Sequence, residues 1–208
     1  MKCSFLSFVV KAYEEFTLQS ATSIAERFGR DTGHISRVSS VALEIYDKMK
    51  KLHGYKLRER TLLQVSAILQ DIGKYVNVRN HALLSYNTIT NLDIVGINDH
   101  ERLIIATVCY YHNGNIPSMD SPIYNQLSQE DRVMVSKLAA ILQISNAINT
   151  SHSPKFEQVS VNMKNGKLNI YLTTLKNINL EKWAFIAKTK LFREVYGLNA
   201  TIIKRGVL

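Results

Sequence analysis

The feature that most constrains this chain is an apolar stripe of helical period. Ile35, Val38, Val41, Ala42, Ile45 and Met49 recur at i, i+3 and i+4 spacing. A chain patterned this way folds as a helix with one face buried. Asp31 precedes the stripe as an N-cap and Gly54 follows it as a stop. The same punctuation recurs along the chain. Phe5 to Leu18, apolar at 5, 6, 8, 9, 10, 13 and 16, predicts a helix packed on the main body. Ser20 to Phe28 predicts a second helix closed by Gly29, and Leu57 to Ile72 a more apolar, central one with Gly73 as its C-terminal stop. His81 to Leu92, Glu101 to Tyr111 and Gln129 to Ile148 follow, the last with Val133, Leu138, Ile141, Leu142 and Ile144 facing inward. Only 3 prolines and 9 glycines interrupt the chain, so long helices are permitted.

After Pro154 the period changes to two. Val159, Val161 and Met163 alternate, Asn165-Gly166 turns the chain, and Leu168, Ile170 and Leu172 alternate again. Asn-Gly between two alternating runs signals a hairpin. Leu180 to Tyr196 returns to helical spacing, Gly197 stops it, and Ala200 to Ile203 reads as a last strand. The prediction is a mainly α fold: a multi-helix domain over 1–154, then a small α+β unit (ββαβ) over 155–208.

Net charge is +9, from 26 Lys+Arg against 17 Asp+Glu. That surplus favours anionic partners, although each Lys or Arg taken singly also reads as a solvated helix face. Aromatic content of 9% and the lack of any recognition-helix or RNA-binding motif leave charge as the sole support for nucleic-acid binding, which is not expected. Cys3 and Cys109 share no motif spacing and point to a reduced, cytoplasmic protein, Cys109 being a small core residue. No apolar run approaches the ~20 residues that span a bilayer.

Six residues capable of metal chemistry fall on, or at the ends of, different predicted helices: His34, Gln70, Asp71, His81, His112 and Asn146. Helical bundles build such sites by pointing side chains inward from several helices. Imidazole and carboxylate suit a divalent cation that polarises a phosphoryl oxygen. Singly, each His is more often a capped or half-buried structural residue.

Their order resembles the HD superfamily of metal-dependent phosphohydrolases. In more detail the chain resembles the C-terminal HD-like region of the exopolyphosphatase/guanosine pentaphosphate phosphatase (Ppx/GppA) family. The matching text is Ala25-Glu26-Arg27-Phe28-Gly29, His34-Ile35-Ser36-Arg37-Val38, Leu69-Gln70-Asp71-Ile72-Gly73-Lys74-Tyr75, Asn80-His81, and Tyr110-Tyr111-His112. The resemblance covers roughly residues 20 to 150 and implies an HD-type multi-helix domain. It also exposes departures: Gln70 stands where the superfamily has the His of its His-Asp pair, Leu84 where a further His falls, and Asn146 where an Asp falls. A neutral amide offsets a dication less well than carboxylate or imidazole. The resemblance therefore implies a degenerate metal site, holding no metal or only a weakly bound divalent metal.

No glycine-rich phosphate loop of the family's catalytic half precedes the helices, so a chain without that half is expected. Arg37, Lys74 and Arg79 are candidate phosphate ligands. The function this implies is a polyphosphate- or guanosine-polyphosphate-binding, regulatory module. Two alternatives stand beside it: a metal-dependent hydrolase with altered ligands, and an assembly domain that dimerises or docks a catalytic chain.

Overall fold

The computed structural model describes residues 2–164 and 166–206. Its helices are α1 (Lys2–Arg27), α2 (Thr32–Lys48), α3 (Lys50–His53), α4 (Leu57–Leu69), α5 (His81–Ile89), α6 (Asp99–Tyr111), α7 (Pro122–Asn125), α8 (Gln129–Ile148) and α9 (Asn179–Tyr196). A 3-10 turn, Ile72–Tyr75, links α4 to α5. The fold is mainly α with a small α+β end, as the periodicity predicts. No helix among the described residues is long and apolar enough to cross a membrane.

The helix ends follow local chemistry. The Asp31 side chain accepts the Gly33 N–H at 2.9 Å and starts α2. Asn98 and Glu101 cap α6 reciprocally: Asn98 Oδ1 accepts the Glu101 N–H at 2.9 Å, and the Asn98 N–H donates to Glu101 Oε2 at 3.2 Å. Gly54 and Gly197 close α3 and α9 in the left-handed conformation, with φ of 73° and 66°.

Helix α4 is the central rod, with Thr61, Leu62, Leu63, Val65, Ser66, Ala67, Ile68 and Leu69 all buried. A helix apolar on every side must be covered on every side. Helices α1, α2, α6 and α8 supply that cover. Truncating a side chain such as Leu63 to Ala there costs about 2–5 kcal/mol.

Three expectations need correction. The two N-terminal helices are one, α1, and of the apolar residues predicted to pack on the body Val9, Val10, Tyr13 and Phe16 are exposed. Burial on α1 begins at Thr17 and continues through Ala21, Ile24 and Ala25. Val133 also faces solvent, because it lies off the stripe that α8 buries. Gly73 is no helix stop; it sits inside the 3-10 turn, for a reason given below.

Strands β1 (Gln158–Lys164), β2 (Lys167–Thr173) and β3 (Asn199–Arg205) form a sheet in the order β1-β2-β3. β1 pairs antiparallel with β2, Val161 opposite Ile170, and β2 pairs parallel with β3, Ile170 opposite Ile202. Parallel neighbours need a crossover, and α9 provides it. Leu168, Ile170 and Leu172 turn inward on alternate positions. Of the predicted Asn-Gly turn, Asn165 lies outside the described residues, and Gly166 has φ of 67°. α9 packs against α8 and β3, which joins the α+β end to the helices.

Candidate metal centre and its cationic surround

The site begins where α4 ends. Gln70 and Asp71 follow Leu69, and the chain tightens into the 3-10 turn. Ser85 of α5 clamps that exit: its Oγ donates to the Gln70 carbonyl at 2.9 Å and accepts the Gly73 N–H at 2.9 Å. A Cβ on Gly73 would fall 2.3 Å from the His81 carbonyl oxygen and 2.5 Å from the Ser85 nitrogen. Glycine at 73 thus lets α5 approach the turn and bring His81, its first residue, beside Asp71. His112 arrives from the C-terminal end of α6.

Asp71, His81 and His112 are all buried and form the one cluster of three or more potential metal-holding residues among the described residues. His81 Nδ1 faces the Val78 carbonyl at 2.7 Å, and His112 Nδ1 faces that of Cys109. Those carbonyls assign the proton of a neutral ring to Nδ1 and leave each Nε2 with a lone pair. The two Nε2 atoms stand 3.3 Å apart, and 3.6 Å (His81) and 3.2 Å (His112) from Asp71 Oδ1. Although His112 Nε2 is within ion-pair distance, Oδ1 has no aligned hydrogen-bond donor. With both rings neutral, Asp71 Oδ1 and the two Nε2 atoms would offer three acceptors to a cation, and otherwise His112 Nε2 is the group that faces Oδ1. Bonds of about 2.1 Å to a tetrahedral cation place its ligand atoms about 3.4 Å apart. The observed spacings fit that requirement, and two imidazoles with one carboxylate suit a borderline divalent ion.

The other carboxylate oxygen is held differently. Lys74 Nζ donates to Asp71 Oδ2 at 2.8 Å, and Arg30 Nη2 lies 3.6 Å from it. Burial by itself would raise the Asp71 pKa, but His112 and Lys74 outweigh it and hold the carboxyl well below the usual carboxylate range. Burial, followed by His112, lowers the pKa of His81.

The remaining predicted residues occupy several positions. His34 is buried with neither ring nitrogen hydrogen-bonded among the described residues, its ring 4.2 Å from that of His152. Burial first, then His152, lowers its pKa to about 4, so the ring is neutral at pH 7. It lies outside the three-residue cluster. Gln70 is buried, and its Oε1 has no hydrogen-bond partner among the described residues. Asn146 is half-buried on α8. Arg37 donates to the His152 carbonyl at 3.3 Å and lies 3.8 Å from Asp31. Arg79 is exposed, tied only through its backbone N–H to Asn77 Oδ1 at 2.8 Å.

Sequence reasoning missed three neighbours of Asp71. Arg30 falls in the turn between α1 and α2, where periodicity marks nothing. His152 has φ of 53°, unusual for a residue with a side chain, and follows α8. Lys188 sits on the half-buried side of α9; burial lowers its pKa, Asp71 opposes that shift and Lys74 adds to it. No sequence signal joins a lysine on the last helix to an aspartate 117 positions earlier (188 − 71).

The family model for Ppx/GppA phosphatase, domain III matches residues 18–191. The matched segment contains the whole Asp71 cluster and, on α9, Lys188. This chain belongs to the Ppx/GppA phosphatase domain III family.

Proposed function

We propose that this exopolyphosphatase-related chain is a phosphoanion-binding module, taking polyphosphate or a guanosine polyphosphate at the Asp71 site. One observation supports the reading: Asp71 Oδ1, His81 Nε2 and His112 Nε2 lie within 3.2–3.6 Å of one another, and Lys74 and Arg30 flank the same carboxylate. Those three residues would hold a divalent ion. Such an ion supplies positive charge and open coordination positions for phosphoryl oxygens. With a single carboxylate among the ligands and Arg30 and Lys74 already on that carboxylate, a dication there is under-neutralised, and an anionic co-ligand restores balance. Lys74, and Arg37 on the His34 helix, would meet it, Arg by bidentate contact and Lys as a point charge.

Gln70 and Asn146, in positions where the HD pattern has His and Asp, favour binding over hydrolysis. Calorimetric titration of the protein with polyphosphate tests this. Micromolar-range binding that weakens steeply with added salt is expected, and absence of binding at low salt would sink the reading.

A second reading, a metal phosphohydrolase with altered ligands, draws on the same convergence of Asp71, His81 and His112. Metal analysis of protein purified without chelator, with a manganese-dependent nucleotide-hydrolysis assay, separates the two. Turnover that disappears in Asp71→Ala would favour the enzyme.

A further inference from the structure

A second feature of the site lies on α9, outside the HD-like helices. The Lys188 stem passes over Gly114, two residues beyond His112: a Cβ at Gly114 would sit 3.8 Å from Lys188 Cγ and 3.9 Å from Cε. Gly114 has φ of 107°, a conformation that favours glycine, and no side chain there crowds the stem. The Lys188 ammonium makes no hydrogen bond or ion pair among the described residues, although it is half-buried on the packed side of its helix. The charges that act on it are Asp71, already engaged by Lys74 and Arg30, and Lys74 itself.

A cation left half-buried, unpaired and beside another cation weakens a fold unless something anionic joins it. Arg30 and Lys74 lie on the Asp71 carboxylate and Lys188 is coupled to it, with Asp71 the one carboxylate they share. Three against one leaves a surplus of two positive charges. A ligand with at least two adjacent negative groups matches that surplus, and a single phosphate monoester matches it less well.

We infer that Lys188 is an anion-binding residue of the Asp71 site, delivered by the C-terminal α+β unit, and that it selects chains of linked phosphates over a single phosphate. The inference rests on the anion-binding reading above. It gives α9 a role in the site: the helix adds, from the far end of the chain, a cation to those from the α1–α2 turn and the α4–α5 turn. It also separates ligand binding from stability. Removing a strut lowers stability, whereas removing an unpaired cation raises it or leaves it unchanged.

The test uses the whole chain and two readouts, calorimetric affinity for tripolyphosphate and for orthophosphate, and melting temperature without ligand. Wild type is compared with Lys188→Met, Lys188→Arg and, as a control, Lys190→Ala on the exposed side of α9. Lys188→Met is expected to bind tripolyphosphate at least tenfold more weakly, to lose most of the preference over orthophosphate, and to melt no lower than wild type. Lys188→Arg keeps the charge and should stay within about threefold; Lys190→Ala should match wild type. Unchanged tripolyphosphate affinity in Lys188→Met overturns the role of Lys188 while leaving the binding reading intact. A lower melting temperature in both Lys188 variants makes the residue a structural strut and overturns it as well. Failure of wild type to bind tripolyphosphate at low salt removes both.

Discussion

Gly73 shows how one residue sets the geometry of the site. Its N–H is held by Ser85, and the missing side chain is what allows the His81 carbonyl and the Ser85 nitrogen to approach. Gly73→Ala forces backbone against backbone, because neither neighbour is the end of a flexible side chain. The expected loss is at least about 3 kcal/mol, read from the denaturant midpoint. His81 is drawn away from Asp71 in the same step, so metal retention should fall with stability; a variant as stable as wild type would refute the close-approach account. Sequence reasoning singled out Gly73 and the residues flanking it, yet gave the glycine a different task. A helix stop and a close approach both call for glycine, and only the position of α5 distinguishes them.

At the scale of elements, the N-terminus of α6 is tied to the start of α4. Arg58 donates to Glu101 Oε1 at 2.6 Å and to the Gly96 carbonyl at 2.7 Å, while Glu101 completes the α6 cap through Asn98. Burial would raise the Glu101 pKa, but the Arg58 hydrogen bond and the Asn98 N–H outweigh it and bring it below the ordinary value. A carboxyl with a depressed folded pKa stabilises fully above its unfolded value, about 4.3. That contribution is lost as pH falls from there through the folded value. Wild type should therefore melt higher than Glu101→Gln near pH 7, with the gap closing below about pH 4. A gap that persists or widens on acidification would refute the assignment. Sequence pattern found α6 within two residues, though the Asn98 cap that sets its true start was not read from it. It could not find the Arg58 contact, which joins residues 43 positions apart. The same limit explains α1: its apolar residues are legible, but whether Val9, Tyr13 and Phe16 meet the body depends on where the body ends.

For the whole molecule, the Asp71 cluster couples three helix ends, those of α4, α5 and α6, so an ion bound there acts on the folded state alone. An ion at about a hundred times its dissociation constant adds about 2.7 kcal/mol to a folded state it binds exclusively. For a chain of this size that corresponds to a rise in melting temperature of roughly 5–10 °C. Titrating manganese or zinc into chelator-treated protein should produce that rise in wild type and none in Asp71→Ala. An equal shift in the variant would place the ion elsewhere. Sequence alone determined the long helices after Asp31, the Asp31 cap, the change of period after Pro154 and the identities of Asp71, His81 and His112, because all of these are written in local chemistry. Tertiary structure decided which histidines share a centre: His81 and His112 meet Asp71 Oδ1, and His34 stacks instead on His152. It also decided that Arg30 lies beside Asp71. Lone pairs and charges act over a few ångströms of space, whatever their separation along the chain, so their partners exist only once the helices have packed.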